Sequence, residues 1–173
     1  MPTFGNPVVG YIRPPGSPVI VGSFRVTATF AEHVASGRGP GIDIGNGRCG
    51  DPIFALHSGL VTFAGLIGAA KVVRIDFTDG IHQSGYAHLD TINVKVGQRV
   101  TRGQMIGTLG MTGADACHLH LGMKKSGVEV DSWPMLEQVQ QEGEHIATAT
   151  KNLQADITGK NARLVSIAKI ATG

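Results

Sequence analysis

Three features of this 173-residue chain predict a mainly β fold. It holds 25 glycines and 8 prolines, about one residue in five, which suits short strands and tight turns better than long helices. Hydrophobic residues make up 42% and charged residues only 16%, so the composition is that of a folded protein with a buried core. Between Phe24 and Met123, short runs rich in β-branched and aromatic residues alternate with turn signals.

Taken in order, residues 1–22 carry Pro2, Pro7, Pro14, Pro15 and Pro18, which forbid a regular helix and predict an extended arm. The strands of a core domain, 23–134, follow: FRVTATF, PIFAL, GLVTFAG and KVVRIDF, the turn Thr78-Asp79-Gly80, then GYAHL, TINVKV, RVTRGQMIGTLG and HLHLGM. A last strand at Val128 to Val130 ends at Asp131-Ser132, and Pro134 suits the start of a helix. From 135 to 173, Leu136, Val139, Leu164, Ile167, Ala168 and Ile170 follow helical spacing. Breaks at Gly143 and Gly159 predict a tail of two or three helices.

The formal charge of +2, spread along the chain, argues against nucleic-acid binding. Pro52 to Ala70 is uncharged, yet Pro52, His57, Ser58 and its glycines read as buried strands and not as a membrane span. The first thirty residues show no cationic stretch leading into an apolar run, so no secretory signal is expected. Two cysteines, Cys49 and Cys117, cannot build a disulfide framework.

Seven histidines in a charge-poor chain point to metal chemistry, because neutral imidazole is the usual ligand of zinc. In DACHLHLGM, His118 and His120 are two apart, a spacing that on a strand sets both rings on one face. Asp43, in GPGIDIGNG, is a lone acid among glycines and apolar residues, where a buried carboxylate needs a cation. His88 ends the apolar stretch GYAHL.

These pieces recur in one order: G-I-D-I, D-P-I-F-A, S-G-L-V, Y-A-H-L, V-K-V-G-Q-R-V, G-Q-M-I-G-T-L-G-M-T-G, H-L-H and V-D-S-W-P-M-L. That order resembles the lysostaphin/LytM-type zinc endopeptidases, which cleave peptide cross-links of bacterial peptidoglycan, over roughly Phe24 to Leu136. The resemblance implies an antiparallel β-sheet with a groove over it and one Zn2+ at the groove floor. It assigns Asp43 and His120 as zinc ligands, and His88 and His118 as the pair that handles the attacking water and the transition state. Three protein ligands would leave an open position for hydrolysis.

One position departs from the family pattern. The first ligand there is a histidine four residues before the aspartate, and this chain has Gly39. His33, in the glycine-rich FAEHVASGRGPGID, is the expected replacement ligand, carried on a loop that folds back over the metal. His57, His82 and His145 are read as structural or surface residues, and Cys49 and Cys117 as either a disulfide or free thiols beside the site. The expected function is a zinc peptidase acting on peptidoglycan. With no export signal, the expected setting is a phage: a tail protein of the virion, docked to other tail proteins through the arm and the helices, or a lysin in the host cytoplasm released by a holin. The alternative is an inert structural or wall-binding module of the same fold, for which Gly39 is the argument.

Overall fold

The computed structural model describes residues 6–15, 17 and 23–171, with 161–171 described by backbone alone. The strands are β1 (Arg25–Ala28), β2 (Ile42–Gly45), β3 (Pro52–Phe54), β4 (Gly59–Ile67), β5 (Ala70–Phe77), β6 (His82–Ala87), β7 (Leu89–Ile92), β8 (Arg99–Val100), β9 (Met105–Leu109), β10 (Leu119–Lys125) and β11 (Val128–Val130). A short helix α1 (Phe30–Ser36) separates β1 from β2, and α2 (Trp133–Ala171) follows β11. The mainly β reading therefore holds.

The large sheet runs β1-β2-β10-β6-β5-β4-β8, with β11 paired to β10, and a small sheet runs β3-β9-β7. Every strand pairing within them is antiparallel. Alternation along the strands puts one face of the large sheet onto the core, where Ile42, Ile44, Val73, Ile75, Tyr86, Leu119 and Leu121 are buried together with Ile53, Leu89, Ile106 and Leu109 of the small sheet. The opposite face of β2, β10 and β6 is left to carry Asp43, His120 and Ala87, which are cross-strand partners in register.

The described part of the arm packs on this core. Proline has no N–H to give but keeps its carbonyl: Phe54 N–H donates to Pro7 O at 2.9 Å, while Arg13 both donates to Phe24 O and accepts from Val26 N–H, each at 2.9 Å. Val8 and Ile12 are buried with the core.

The tail is one helix, not two or three. Gly143 and Gly159 lie inside α2, exposed. A glycine in an exposed helix costs only about 1 kcal/mol relative to alanine, too little to interrupt a segment with no proline beyond its first turn. The helix starts at Trp133, where the Asp131 carboxylate accepts the Trp133 N–H at 2.9 Å. Among the described side chains Leu136 is the last buried apolar one, and Ile146, Leu153 and Ile157 are exposed. A chain ending at Gln141 is expected to unfold cooperatively within a few degrees of the full chain; loss of the cooperative transition would make the remainder of α2 part of the folding unit.

His57, in the bend between β3 and β4, is a core residue. Its Nδ1–H donates to Ser58 O at 3.0 Å, its Nε2 accepts from the Ser84 hydroxyl at 2.8 Å, and the ring stacks on Phe77. Burial pushes its pKa down to about 4, against the opposing Ser58 carbonyl. The neutral ring is then favoured in the fold. Its contribution is complete above the unfolded-chain value of 6.5 and is lost as pH falls from there towards 4, about 3 kcal/mol in all. The thermal midpoint is expected to fall over that window in the wild type and to fall less steeply in His57→Gln. Parallel pH profiles would assign the acid sensitivity elsewhere.

Candidate metal centre

Three elements converge on one point above the large sheet. Asp43 on β2 faces His120 on β10 through the register of the two strands, and the His120 Nδ1 lies 3.0 Å from Asp43 Oδ1. The third residue comes from α1. Thr29 caps that helix: its hydroxyl accepts the Glu32 N–H, and the Glu32 carboxylate accepts the Thr29 N–H at 2.7 Å. Gly37 closes the other end in the left-handed conformation. His33 therefore sits on a capped helical turn and not on the loop expected from the sequence. Its side chain is 4% exposed, and its Nε2 lies 3.0 Å from Asp43 Oδ2.

The donor atoms of His33, Asp43 and His120 all lie within 4.8 Å of one another. The residues fit zinc. Two imidazoles and a carboxylate are zinc donors, and ligands about 2.0–2.1 Å from a tetrahedral ion stand roughly 3.3 Å apart. More telling is the His33 ring. Although its Nε2 is close to Asp43, neither ring nitrogen makes a hydrogen bond, so the short contact is out of line. Leaving such a buried nitrogen unsatisfied costs about 1–3 kcal/mol, and an ion between the three side chains removes that cost at Nε2.

Gly41 makes room for this arrangement. A Cβ at that position would lie 2.6 Å from both Cε1 and Nε2 of His120 and 2.9 Å from Leu121 O. Gly41→Ala is expected to displace the His120 ring and weaken zinc binding at least tenfold in competition with a chelator, with the β fold retained by circular dichroism. Unchanged zinc affinity would show that the ring can shift without leaving the ion.

His118 and His88 complete the site. The Nδ1–H of His118 donates to Ala116 O at 2.9 Å, and that of His88 donates to Thr112 O at 2.8 Å. Each bond fixes a tautomer whose Nε2 carries the lone pair. The His118 Nε2 is 3.6 Å from Asp43 Oδ2, and the two rings are 4.6 Å apart between centroids. Burial lowers the His88 pKa, the Thr112 carbonyl opposes this, and the nearby His118 and His120 lower it further. At Asp43 burial acts upward, but the His120 hydrogen bond and the neighbouring His118 and His33 imidazoles outweigh it and hold the carboxyl below its usual value. His88 also has φ +66°, a left-handed conformation that a non-glycine residue holds only when its surroundings enforce it.

Together His33, Asp43, His88, His118 and His120 line one cavity of about 550 Å³. His82 instead pairs with Asp79 at 2.7 Å, and His145 is exposed on α2. Cys49 and Cys117 form a disulfide with Cα atoms 5.2 Å apart, tying the loop after β2 to the residue before His118. The roles of Gly41 and Thr112 escaped the sequence reading, since both depend on which atoms they meet across the fold. The capping signal T-F-A-E was present in the sequence and would have placed His33 on a helix.

Comparison with known proteins agrees with this geometry. Residues 37–132 match Peptidase family M23. The murein hydrolase activator NlpD of Escherichia coli is 35% identical over 116 residues, covering 66% of this chain and 30% of that protein. The antimicrobial peptidase lysostaphin of Staphylococcus simulans superposes with a TM-score of 0.54 at 31% identity, covering 57% of this chain and 44% of that one. A zinc-containing peptidase from Vibrio cholerae superposes with a TM-score of 0.50 at 32% identity, covering 53% and 28%. The chain spans less than half the length of the first curated relatives it matches. These three are bacterial proteins, and none is a phage tail protein.

Proposed function

Because this chain belongs to peptidase family M23, matched over more than half its length, we propose that it is a zinc-dependent endopeptidase that hydrolyses peptide cross-links of bacterial peptidoglycan. The observation that carries this reading is the convergence of His33, Asp43 and His120 beside two further imidazoles, His88 and His118, that line the same cavity. His33 Nε2, an Asp43 carboxylate oxygen and His120 Nδ1 would hold the ion. When bound there, zinc supplies Lewis acidity at its open coordination position.

The remaining work falls to the protein. His118 Nε2, nearest the ligand cluster, accepts a proton from the attacking water and returns it to the leaving amine. His88 Nε2 accepts the second O–H of that water and orients it towards the carbonyl carbon. The backbone carbonyls of Ala116 and Thr112 keep both rings in the tautomer this requires. Ile67 and Val72 give the cavity an apolar side.

Digestion of purified cell walls tests this reading. New amine termini are expected with the zinc-loaded protein, lost with a chelator and restored by zinc. A second reading is favoured by one relative's name: like a murein hydrolase activator, the chain would stimulate a separate hydrolase and cut nothing itself. Walls left intact by the protein alone, but cut faster when it accompanies a hydrolase, would decide for that reading.

A further inference from the structure

From the metal centre a groove continues over the exposed face of the large sheet. Gly85 and Ala87 of β6 and Gly122 of β10 form its floor, and His120, Ile67 and Val72 are shared between it and the cavity above. Small floor residues let an extended peptide lie close to the sheet. Selection must therefore come from the groove margin.

The polar side chains at that margin are nearly all committed. Lys124 Nζ pairs with Glu129 Oε1 at 3.1 Å. Gln83 Nε2 donates to Asp76 Oδ1 at 2.6 Å, and the Thr62 hydroxyl donates to the same oxygen at 3.2 Å. Arg74 is different. It is exposed on β5 and lines the groove, and among the described residues no carboxylate forms an ion pair with it. Asp76, two residues along the same face, is turned to Gln83 and Thr62.

Arg74 is nonetheless held in place. Phe63 is its cross-strand partner on β4, and the guanidinium carbon lies 5.6 Å from the centre of the Phe63 ring. A guanidinium is always charged and presents a planar fork of donors that matches a carboxylate through two parallel hydrogen bonds. Beside a groove walled by Ile67 and Val72 such a pair is less screened by water than on an open surface.

We propose that Arg74 is a specificity-determining residue of this groove, and that it selects peptides bearing a free carboxylate near the bond held at the metal centre. Anionic stem peptides would then bind in preference to neutral glycine bridges. This inference rests on the reading of the site as a peptide-processing centre and narrows its substrate class.

The test measures binding, independently of cleavage. The zinc-loaded full chain is titrated by fluorescence anisotropy with a labelled peptide L-Ala-γ-D-Glu-L-Lys-D-Ala, with the same peptide carrying carboxamides, and with labelled pentaglycine amide. The free-carboxylate peptide is expected to bind about tenfold more tightly than either neutral probe. Arg74→Gln should weaken it to the level of its carboxamide twin without changing the twin, and Arg74→Lys should restore part of the difference. Equal binding of the acid and the amide by the wild type, no binding of the acid, or a preference that survives Arg74→Gln would overturn the proposal. A preference that follows Arg74 while purified walls stay uncut would refute the endopeptidase and leave the groove assignment standing; cut walls with no preference would do the reverse.

Discussion

Zinc is expected at one ion per chain in the wild type and near zero in His33→Ala and in His120→Ala after dialysis against a chelator. Each of these residues supplies one of three donor atoms gathered within 4.8 Å, and an ion left with two protein ligands loses the closed half of its tetrahedron. Substitutions merely behind a ligand cost about 10–100-fold in affinity, so removal of a ligand itself should exceed that range. His33→Ala is the sharper measurement, because no other described His, Cys, Asp or Glu joins Asp43 and His120 in the cluster. Because His33 is buried, the alanine variant leaves a cavity, and His33→Cys serves as the companion. A thiolate is a zinc ligand, so the cysteine variant should regain metal. Full zinc in His33→Ala would remove His33 from the ligand set and shift weight towards the inert module.

Activity on cell walls is expected to fall about 10²-fold or more in His118→Ala and in His88→Asn while the zinc content stays at one per chain. That loss corresponds to about 3 kcal/mol of transition-state stabilisation. Neither residue is in the three-donor cluster, and both have Nδ1–H tied to a backbone carbonyl, so their Nε2 atoms are left for proton transfer. Asparagine is the better probe at His88 because it tolerates the left-handed conformation with φ +66°, which alanine would hold only with strain. Wild-type rates in either variant would make that histidine structural. Loss of zinc together with activity would instead place it in the ligand set.

Much of this architecture is written locally in the chain. Alternating strand residues, the Thr78-Asp79-Gly80 turn and the H-L-H spacing each act over a few residues, so the β class and the shared face of His118 and His120 are readable directly. The helical tail is readable for the same reason, but its continuity is not. Gly143 and Gly159 look like breaks when only propensity is considered, whereas their small cost is absorbed within a long run of hydrogen-bonded turns.

The chain by itself determined which residue types were available and which local elements they form: strands with one apolar face, an Asp43 in an apolar stretch, a capped turn at Thr29. Tertiary structure decided which of them meet. His120 reaches Asp43 across 77 residues of chain because β2 and β10 are neighbours in a register set by burying Ile42, Ile44, Leu119 and Leu121 on one face. A slip of one residue in either strand would have turned that strand's ligand into the core. The Cys49–Cys117 disulfide, the space that Gly41 leaves for an imidazole, and the Arg74 guanidinium over Phe63, with no ion pair among the described residues, are likewise properties of atoms brought together from distant segments. Such pairings depend on the packing of the whole core, and no local spacing in the sequence encodes them.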